Sequence, residues 1–209
     1  MVFAVVKKIS LSTLEQRVKE HKLWIEGRIG IAAPDVGEQL ILIETEISSA
    51  SFKYVDLSSC AISRSLVSNS RFEHCTFHGC TAVNSVFREC EFLQCDFSKA
   101  ELQESRFHGC KLIACNLRKA DLTSCDLRDA DLTECNFSWA WLIDTDMRNA
   151  VLENIDLTST RISGAKLYNS GKYHLKGVDT TKIKSLDYSA KGDNSGTTNE
   201  QSLDPIRIE

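Results

Sequence analysis

Residues 115–137 read Cys-Asn-Leu-Arg-Lys-Ala-Asp-Leu-Thr-Ser-Cys-Asp-Leu-Arg-Asp-Ala-Asp-Leu-Thr-Glu-Cys-Asn-Phe. A large apolar residue recurs at every fifth position, and a small residue stands two positions before each one. Neither the 3.6-residue period of an amphipathic helix nor the two-residue period of a strand produces this spacing. The stretch therefore predicts a chain that turns a corner every five residues.

The same register extends far beyond this stretch. Every fifth residue from Ile47 to Leu167 is apolar, which makes twenty-five positions in a row, and eight of the nine Phe lie among them. All nine Cys occupy the small position. With four corners per coil, a coil has twenty residues, and its large and small residues point inward. Stacked at about 4.8 Å, about six such coils make a solenoid rod of roughly 30 Å.

The repeat resembles a known family. Its best units begin at Cys95, Cys115, Ala120, Cys125, Ala130 and Cys135, each followed by Asp or Asn and then by Leu or Phe. This pattern is that of the pentapeptide-repeat family, and it covers about 60% of the chain. The resemblance implies an all-β fold, a right-handed quadrilateral β-helix. It also implies possible relatives among bacterial proteins that bind DNA gyrase and protect it from quinolones.

The two ends depart from the repeat. Residues 11–26 predict an amphipathic helix with a capping box from Ser12 to Glu15 and a stop at Gly27. We therefore expect an N-terminal cap over 1–41, the β-helix over 42–171 and a C-terminal cap over 172–190. Residues 191–209 are rich in Asp, Asn, Ser, Thr and Gly, a composition typical of a flexible tail.

Composition and charge exclude several classes of function. Lys and Arg total 25 against 29 Asp and Glu, so the net charge of −4 offers no basic surface for direct nucleic-acid binding. No apolar run is long enough to span a membrane. The N-terminus places its apolar run before its lysines, the reverse of a secretory signal. A cytoplasmic protein with reduced thiols is expected, and a leaderless secretion route stays open.

The cysteines are the first candidates for chemistry. Cys75, Cys95, Cys115 and Cys135 share one inward column, one coil apart. Side chains in a column point the same way, whereas a disulfide needs Cβ atoms about 3.8 Å apart and zinc needs four ligands around one point. We interpret them as small core residues, and expect no metal and no cofactor. The five His form no recognisable catalytic spacing, so no enzyme activity is predicted.

The outward positions are the candidates for function. Trp139 and Trp141 flank one corner in outward slots, and Leu93 and Ile113 stack one coil apart on an outer face. Exposed Trp is informative in a rod that has many inward positions. A stripe of Arg88, His108, Arg128 and Arg148 runs along one face, although Asp126, Asp129 and Asp146 lie beside it. These apolar and basic residues form the predicted partner surface.

Two main functions fit these features. The first is a non-enzymatic protein–protein interaction module on a rigid rod, with an unidentified protein partner. The second, which rests on the resemblance, is a DNA-mimic that binds DNA gyrase and confers resistance to quinolones or similar toxins. Residues 45–170 hold 17 acidic and 13 basic residues, a net of −4, which is little charge for a duplex mimic. A bacterial effector and a homodimer joined through a rod end are further hypotheses.

Overall fold

The computed structural model describes residues 7–28, 37–167, 174–176 and 207–208. One helix, α1 (Leu11–Arg28), follows the first strand, β1 (Lys7–Lys8). The remaining strands are β2 (Thr45–Ser48), β3 (Ser51–Lys53), β4 (Leu66–Ser68), β5 (Arg71–Glu73), β6 (Val86–Arg88), β7 (Glu91–Leu93), β8 (Lys111–Ile113), β9 (Ile155–Asp156), β10 (His174–Lys176) and β11 (Arg207–Ile208). All paired strands run parallel.

The chain winds into a solenoid whose register is twenty residues. Val67 pairs with Ile47 and Phe87, and Phe72 pairs with Phe52 and Phe92. The predicted fold class, an all-β quadrilateral β-helix with an N-terminal helix, is confirmed. We number its four faces by the large inward residue of each corner, so that Leu102 lies on face 1, Phe107 on face 2, Leu112 on face 3 and Leu117 on face 4.

The predicted count of about six coils is too high. The strands form two four-stranded sheets on faces 2 and 3 and one three-stranded sheet of β9, β10 and β11, so the strand ladders span about three turns. Other contacts between coils are single parallel bridges at the same spacing, as from Glu101 to Asp121 and from Asp121 to Trp141. The register thus persists where the strands become too short to form sheet.

Many corners have Asp or Asn immediately before the large inward residue. There the side-chain oxygen accepts the N–H two residues later, as Asp121 does from Thr123 at 3.0 Å and Asp131 does from Thr133 at 3.1 Å. Such an Asx turn fixes the corner locally. Corners that form three-residue strands have other residues there, for example Leu66 and Lys111.

The large inward residues form one continuous core. Every fifth residue from Ile47 to Leu167 is buried except Phe52, which is half-buried. Phe52 lies in the first coil, where it packs on Phe72 from one side only. Phe92 is fully buried, with its ring centroid 5.1 Å from that of Phe72 in a stacked arrangement. Each such aromatic contributes burial and ring packing between adjacent coils.

The small inward residues make hydrogen bonds as well as filling space. Thr145 Oγ1 donates to the carbonyl of Leu122 at 2.9 Å, and Cys135 Sγ donates to that of Leu112 at 2.7 Å. These carbonyls lie 23 residues earlier, in the preceding coil. Seven of the nine Cys are S–H donors to the previous coil in this way, a role that the interpretation as small apolar residues missed.

Helix α1 packs over the first coil. Leu14 and Val18 are buried, and the Nδ1 of buried His21 accepts the N–H of Leu40 at 3.0 Å. The predicted capping box is wrong, because Ser10 is the N-cap: its Oγ accepts the N–H of Thr13 at 3.1 Å. The helix begins at residue 11, so Ser12 already lies in its first turn.

Little of the C-terminal region is described. Strand β10 pairs with β9, with Leu175 opposite Ile155, and β11 pairs with β10. The rest of the predicted cap over 172–190 and nearly all of the predicted tail over 191–209 lie outside the described residues, and the predicted domain boundaries stay predictions. In the part of the chain that the structure describes, α1 is the single helix, and it is not a candidate membrane span.

Candidate functional site

Trp139 and Trp141 stand at one corner between faces 4 and 1. Ala140 between them is fully buried, whereas Trp139 is 54% and Trp141 43% exposed. Both are fixed by backbone hydrogen bonds: the Trp139 N–H donates to the carbonyl of Thr158, and the Trp141 N–H donates to that of Ala120, each at 2.9 Å. The corner therefore holds two large aromatic side chains outside the core.

The position of Trp139 has a demanding backbone. From Glu44 to Gly164, the second residue after each large inward residue has a positive φ, and Trp139 has φ 64°. Glycine adopts this conformation most readily, and three of these corners use it, for example at Gly109. The other residues there are mostly small, polar or charged, and only Tyr54 is another large aromatic. The indole of Trp139 thus serves neither the core nor the corner geometry.

A groove of about 400 Å³ runs along this corner over three coils. We call it the Trp edge. It is lined by Lys99, Ala100, Glu101, Gln103, Lys119, Asp121, Trp139 and Trp141. One wall is a column of residues twenty apart that ends in Trp139, and the other is a column that ends in Trp141.

The carboxylates and the ammonium groups of the Trp edge differ in their partners. The Asp121 carboxylate accepts hydrogen bonds from Gln103 Nε2 at 2.7 Å and from Thr123 Oγ1 at 2.6 Å. In the described part of the chain, no carboxylate lies within 4.0 Å of the Nζ of Lys99 or Lys119. The two lysines therefore carry charge that no described carboxylate pairs.

Two further features distinguish the groove. The guanidinium carbon of Arg161 lies 5.0 Å from the ring centre of Trp141, a cation–π contact on one side of the indole. Among the described residues, the buried Oε1 of Gln103 has no hydrogen-bond donor. A buried acceptor without a donor is uncommon in a folded protein and calls for an explanation.

The predicted basic stripe on face 2 is largely paired within the rod. Arg128 contacts Asp126 through Nε at 2.8 Å and through Nη2 at 2.7 Å, and Arg148 contacts Asp146 in the same way. Burial opposes ionisation of Asp126, but the hydrogen bonds from Arg128 outweigh it and lower the pKa of Asp126. This pairing leaves Arg128 and Arg148 less charge for a partner.

The remaining predicted site residues lie elsewhere. Arg88 is exposed on face 2, and Leu93 pairs with Ile113 on face 3, where both are half-buried. The structure therefore places the seven predicted residues on three separate surfaces: the Trp edge, the arginine stripe and the Leu93–Ile113 pair. The Trp edge combines large exposed side chains with a groove.

The nine cysteines are buried and free, and they form no surface site. A hydrogen bond with Cys115, assisted by burial, raises the pKa of Cys95 to about 12. A thiol with a raised pKa carries little thiolate, the form that reacts and binds metal. Among the described residues, no group of three or more His, Cys, Asp and Glu could hold a metal ion.

Three histidines make structural contacts. His21 stacks on Trp24 with ring centres 5.4 Å apart, and His74 stacks on Tyr54 at 4.8 Å. His78 Nδ1 lies 2.8 Å from the Ser98 hydroxyl. The contacts of His74 and His78 link neighbouring coils, whereas that of His21 lies within α1.

Sequence reasoning found the two Trp but missed Lys99, Lys119, Gln103 and Asp121. The signal was present in the register. Lys99, Lys119 and Trp139 are twenty residues apart, and so are Glu101, Asp121 and Trp141. Comparison of residues one coil apart on both sides of the Trp corner would have revealed the two walls.

Two family models match the chain. The model described as "Pentapeptide repeat region" matches residues 85–167, and the one described as "SV2A/B/C luminal domain" matches residues 42–117. No curated protein matches the chain in sequence.

Solved structures share the fold. HetL, a pentapeptide repeat protein involved in heterocyst differentiation regulation from the cyanobacterium Nostoc sp. strain PCC 7120, is 18% identical with a TM-score of 0.56, over 85% of this chain and 76% of HetL. A trypsin-treated variant of QnrB1, a plasmid-mediated fluoroquinolone resistance protein, is 17% identical with a TM-score of 0.50, over 72% of this chain and 86% of QnrB1. At these identities the likeness concerns the fold alone.

Proposed function

The chain belongs to the pentapeptide-repeat family, whose members are structural and interaction modules, and we propose that it is a non-enzymatic protein–protein interaction module that binds its partner through the Trp edge. The rod holds its outer side chains on a fixed lattice, which lowers the entropic cost of binding. The bound protein would contact the two indoles at the centre and the charged side chains around them.

The exposure of Trp139 and Trp141 is the observation that carries this proposal. Each places a large, rigid aromatic surface in water at a corner where the fold requires no aromatic side chain. A non-glycine residue in the left-handed region costs about 1–3 kcal/mol, and the Trp139 side chain returns little of this by burial. Trp is also the residue type most enriched at the energetic centres of protein interfaces.

Affinity capture from the native host tests the proposal. The wild-type chain serves as bait beside the double variant Trp139→Ala/Trp141→Ala, and bound proteins are compared by mass spectrometry. The matched control is Tyr54→Ala, since Tyr54 is 70% exposed at an equivalent corner position of face 3. We expect a partner that the Trp variant loses and the control keeps. An unchanged set of captured proteins with the Trp variant would refute the proposal.

A second candidate is a protein that binds DNA gyrase and protects it from quinolones. It is favoured by a fold similarity that covers 86% of QnrB1. A supercoiling assay of DNA gyrase with ciprofloxacin, with and without the purified chain, tests it. Inhibition or protection would support this function, and the absence of both would dismiss it.

Two other expectations accompany the proposal. A cytoplasmic location suits nine free thiols, because an oxidising compartment favours disulfides. A homodimer through a rod end is the expected self-association, and light scattering of the purified chain measures it. Cell fractionation tests the location.

A further inference from the structure

We infer that the Trp edge binds an extended acidic segment of the partner protein, one that carries an aromatic or leucine side chain beside its carboxylates. This inference rests on the proposed function and specifies the chemistry of the partner. It depends on three features of the groove. Its cations have no described carboxylate within ion-pair distance, its carboxylates are held by hydrogen bonds within the rod, and an extended chain can follow the order of its residues.

The cations of the other faces are mostly paired. Lys53 Nζ lies 2.6 Å from Glu73, Lys111 Nζ lies 2.7 Å from Glu91, and Arg64 Nε lies 2.9 Å from Glu44. In each case the carboxylate stands one coil away, so stacked charges alternate in sign.

The Trp edge lacks this alternation of charge, as does the arginine stripe, where Arg128 and Arg148 each pair within their own coil. Lys99 and Lys119 stack one coil apart with the same sign, and both are exposed. The exposed side chain of Arg118 lies beside them and also has no carboxylate within ion-pair distance among the described residues. Like charges at about 4.8 Å repel each other, and an anionic partner would relieve that repulsion.

The carboxylates of the groove offset only part of this positive charge. Hydrogen bonds from Gln103 in the preceding coil and from Thr123 hold Asp121 against the rod. Glu101 accepts a long bond from the Thr81 hydroxyl at 3.4 Å. The edge therefore holds three cations against two carboxylates, a local net charge of +1 on a chain whose net charge is −4, which favours an acidic partner over a basic one.

The order of residues fits an extended chain. Lys99, Lys119 and Trp139 span two coil steps, about 10 Å, which an extended segment covers in about three residues. Two acidic side chains would then face the lysines, and the next bulky apolar side chain would reach the indoles.

A peptide titration tests the inference. The probe is a fluorescein-labelled peptide in which a run of glutamates precedes a phenylalanine and a leucine. Its controls are the scrambled peptide and a version with lysines in place of the glutamates. Fluorescence anisotropy with the full chain should show binding of the probe and no binding of the two control peptides. The affinity for the probe should fall as salt is raised, since exposed ion pairs are screened.

Variants separate the two parts of the groove. Lys99→Glu/Lys119→Glu should weaken binding of the probe about tenfold or more, because two attractions become repulsions. Trp139→Ala should weaken it about tenfold or more through loss of aromatic contact. The matched control is Arg106→Glu, an exposed cation on face 2 that should leave binding unchanged.

The outcomes distinguish this inference from the proposed function. If the lysine variant binds the probe as tightly as the wild type does, or if the lysine-rich peptide binds better than the probe, the inference of an acidic segment is wrong. The interaction module still stands if the Trp variant loses its captured partner. If acrylamide fails to quench Trp139 and Trp141 in a Trp24→Phe background, other parts of the chain already cover the edge, and the inference also fails.

Discussion

Replacement of Leu117 by Ala measures the energy held in one inward position. Leu117 is fully buried on face 4, in the column of Phe97 and Phe137. Its N–H donates to the carbonyl of Asn136 at 2.7 Å, and its carbonyl accepts the N–H of Ala120 at 3.0 Å. The backbone is therefore fixed, and the neighbouring coils cannot close around a missing side chain.

The expected loss follows from burial and from the cavity. Three carbon groups leave the core, at about 0.8 kcal/mol each, which gives about 2.4 kcal/mol. The rigid spacing of the coils retains most of the cavity, which raises the total to about 4 kcal/mol, within the range of about 2.7–5.0 known for Leu-to-Ala changes. With a urea slope of roughly 2–3 kcal/mol/M, the midpoint should fall by roughly 1.3–2 M.

Urea unfolding followed by circular dichroism provides the assay. The matched control is Leu93→Ala, the same change at a half-buried outward position, where the loss should be about 1 kcal/mol or less. Leu117→Asp places a charge in the same column and should prevent stable folding. Equal losses for Leu117→Ala and Leu93→Ala would refute the division into inward and outward positions.

Three other predictions follow from the same structure. The Cys thiols should react slowly with a disulfide reagent until the chain unfolds, because Cys95, for example, is buried with a pKa raised to about 12; rapid labelling of five or more thiols in the native protein would contradict this. Burial lowers the pKa of His21 below 6.5, so its contribution to stability is present above pH 6.5 and lost as the pH falls below it, because the unfolded chain then binds the proton more readily; the melting temperature should drop between about pH 7.5 and about pH 5.5, and less in His21→Gln. Asp131→Ala removes the acceptor of both the N–H and the hydroxyl of Thr133 and should cost about 0.5–2 kcal/mol in chemical unfolding, whereas an unchanged midpoint would argue against the Asx turn as a source of stability.

The five-residue register predicted the fold because burial enforces it. A shift of the register by one residue would turn Leu117 outward and a charged neighbour inward, so the pattern is compatible with one register only. The register does not predict the partial exposure of Phe52, because that exposure depends on what packs beneath the first coil. The N-cap at Ser10 was missed because Ser10 and Ser12 both precede apolar residues at helical spacing.

The candidate site was predictable only in part. Trp139 and Trp141 are conspicuous in the sequence, since large aromatics rarely occupy outward positions. The role of Lys99 and Lys119 depends on which carboxylates reach them, and that depends on side-chain conformations that the register does not specify. The sequence places Asp126 two residues before Arg128, but it does not specify that the two side chains pair within one coil.

Photo-crosslinking in the native host tests most directly whether the Trp edge contacts a protein. The chain carries p-benzoylphenylalanine in place of Trp139, and the control carries it in place of Tyr54, which is exposed at an equivalent corner of another face. Irradiation should produce a covalent adduct with one partner from the position of Trp139 and none from that of Tyr54. The absence of an adduct at the Trp edge, or the same adduct from both positions, would contradict the account.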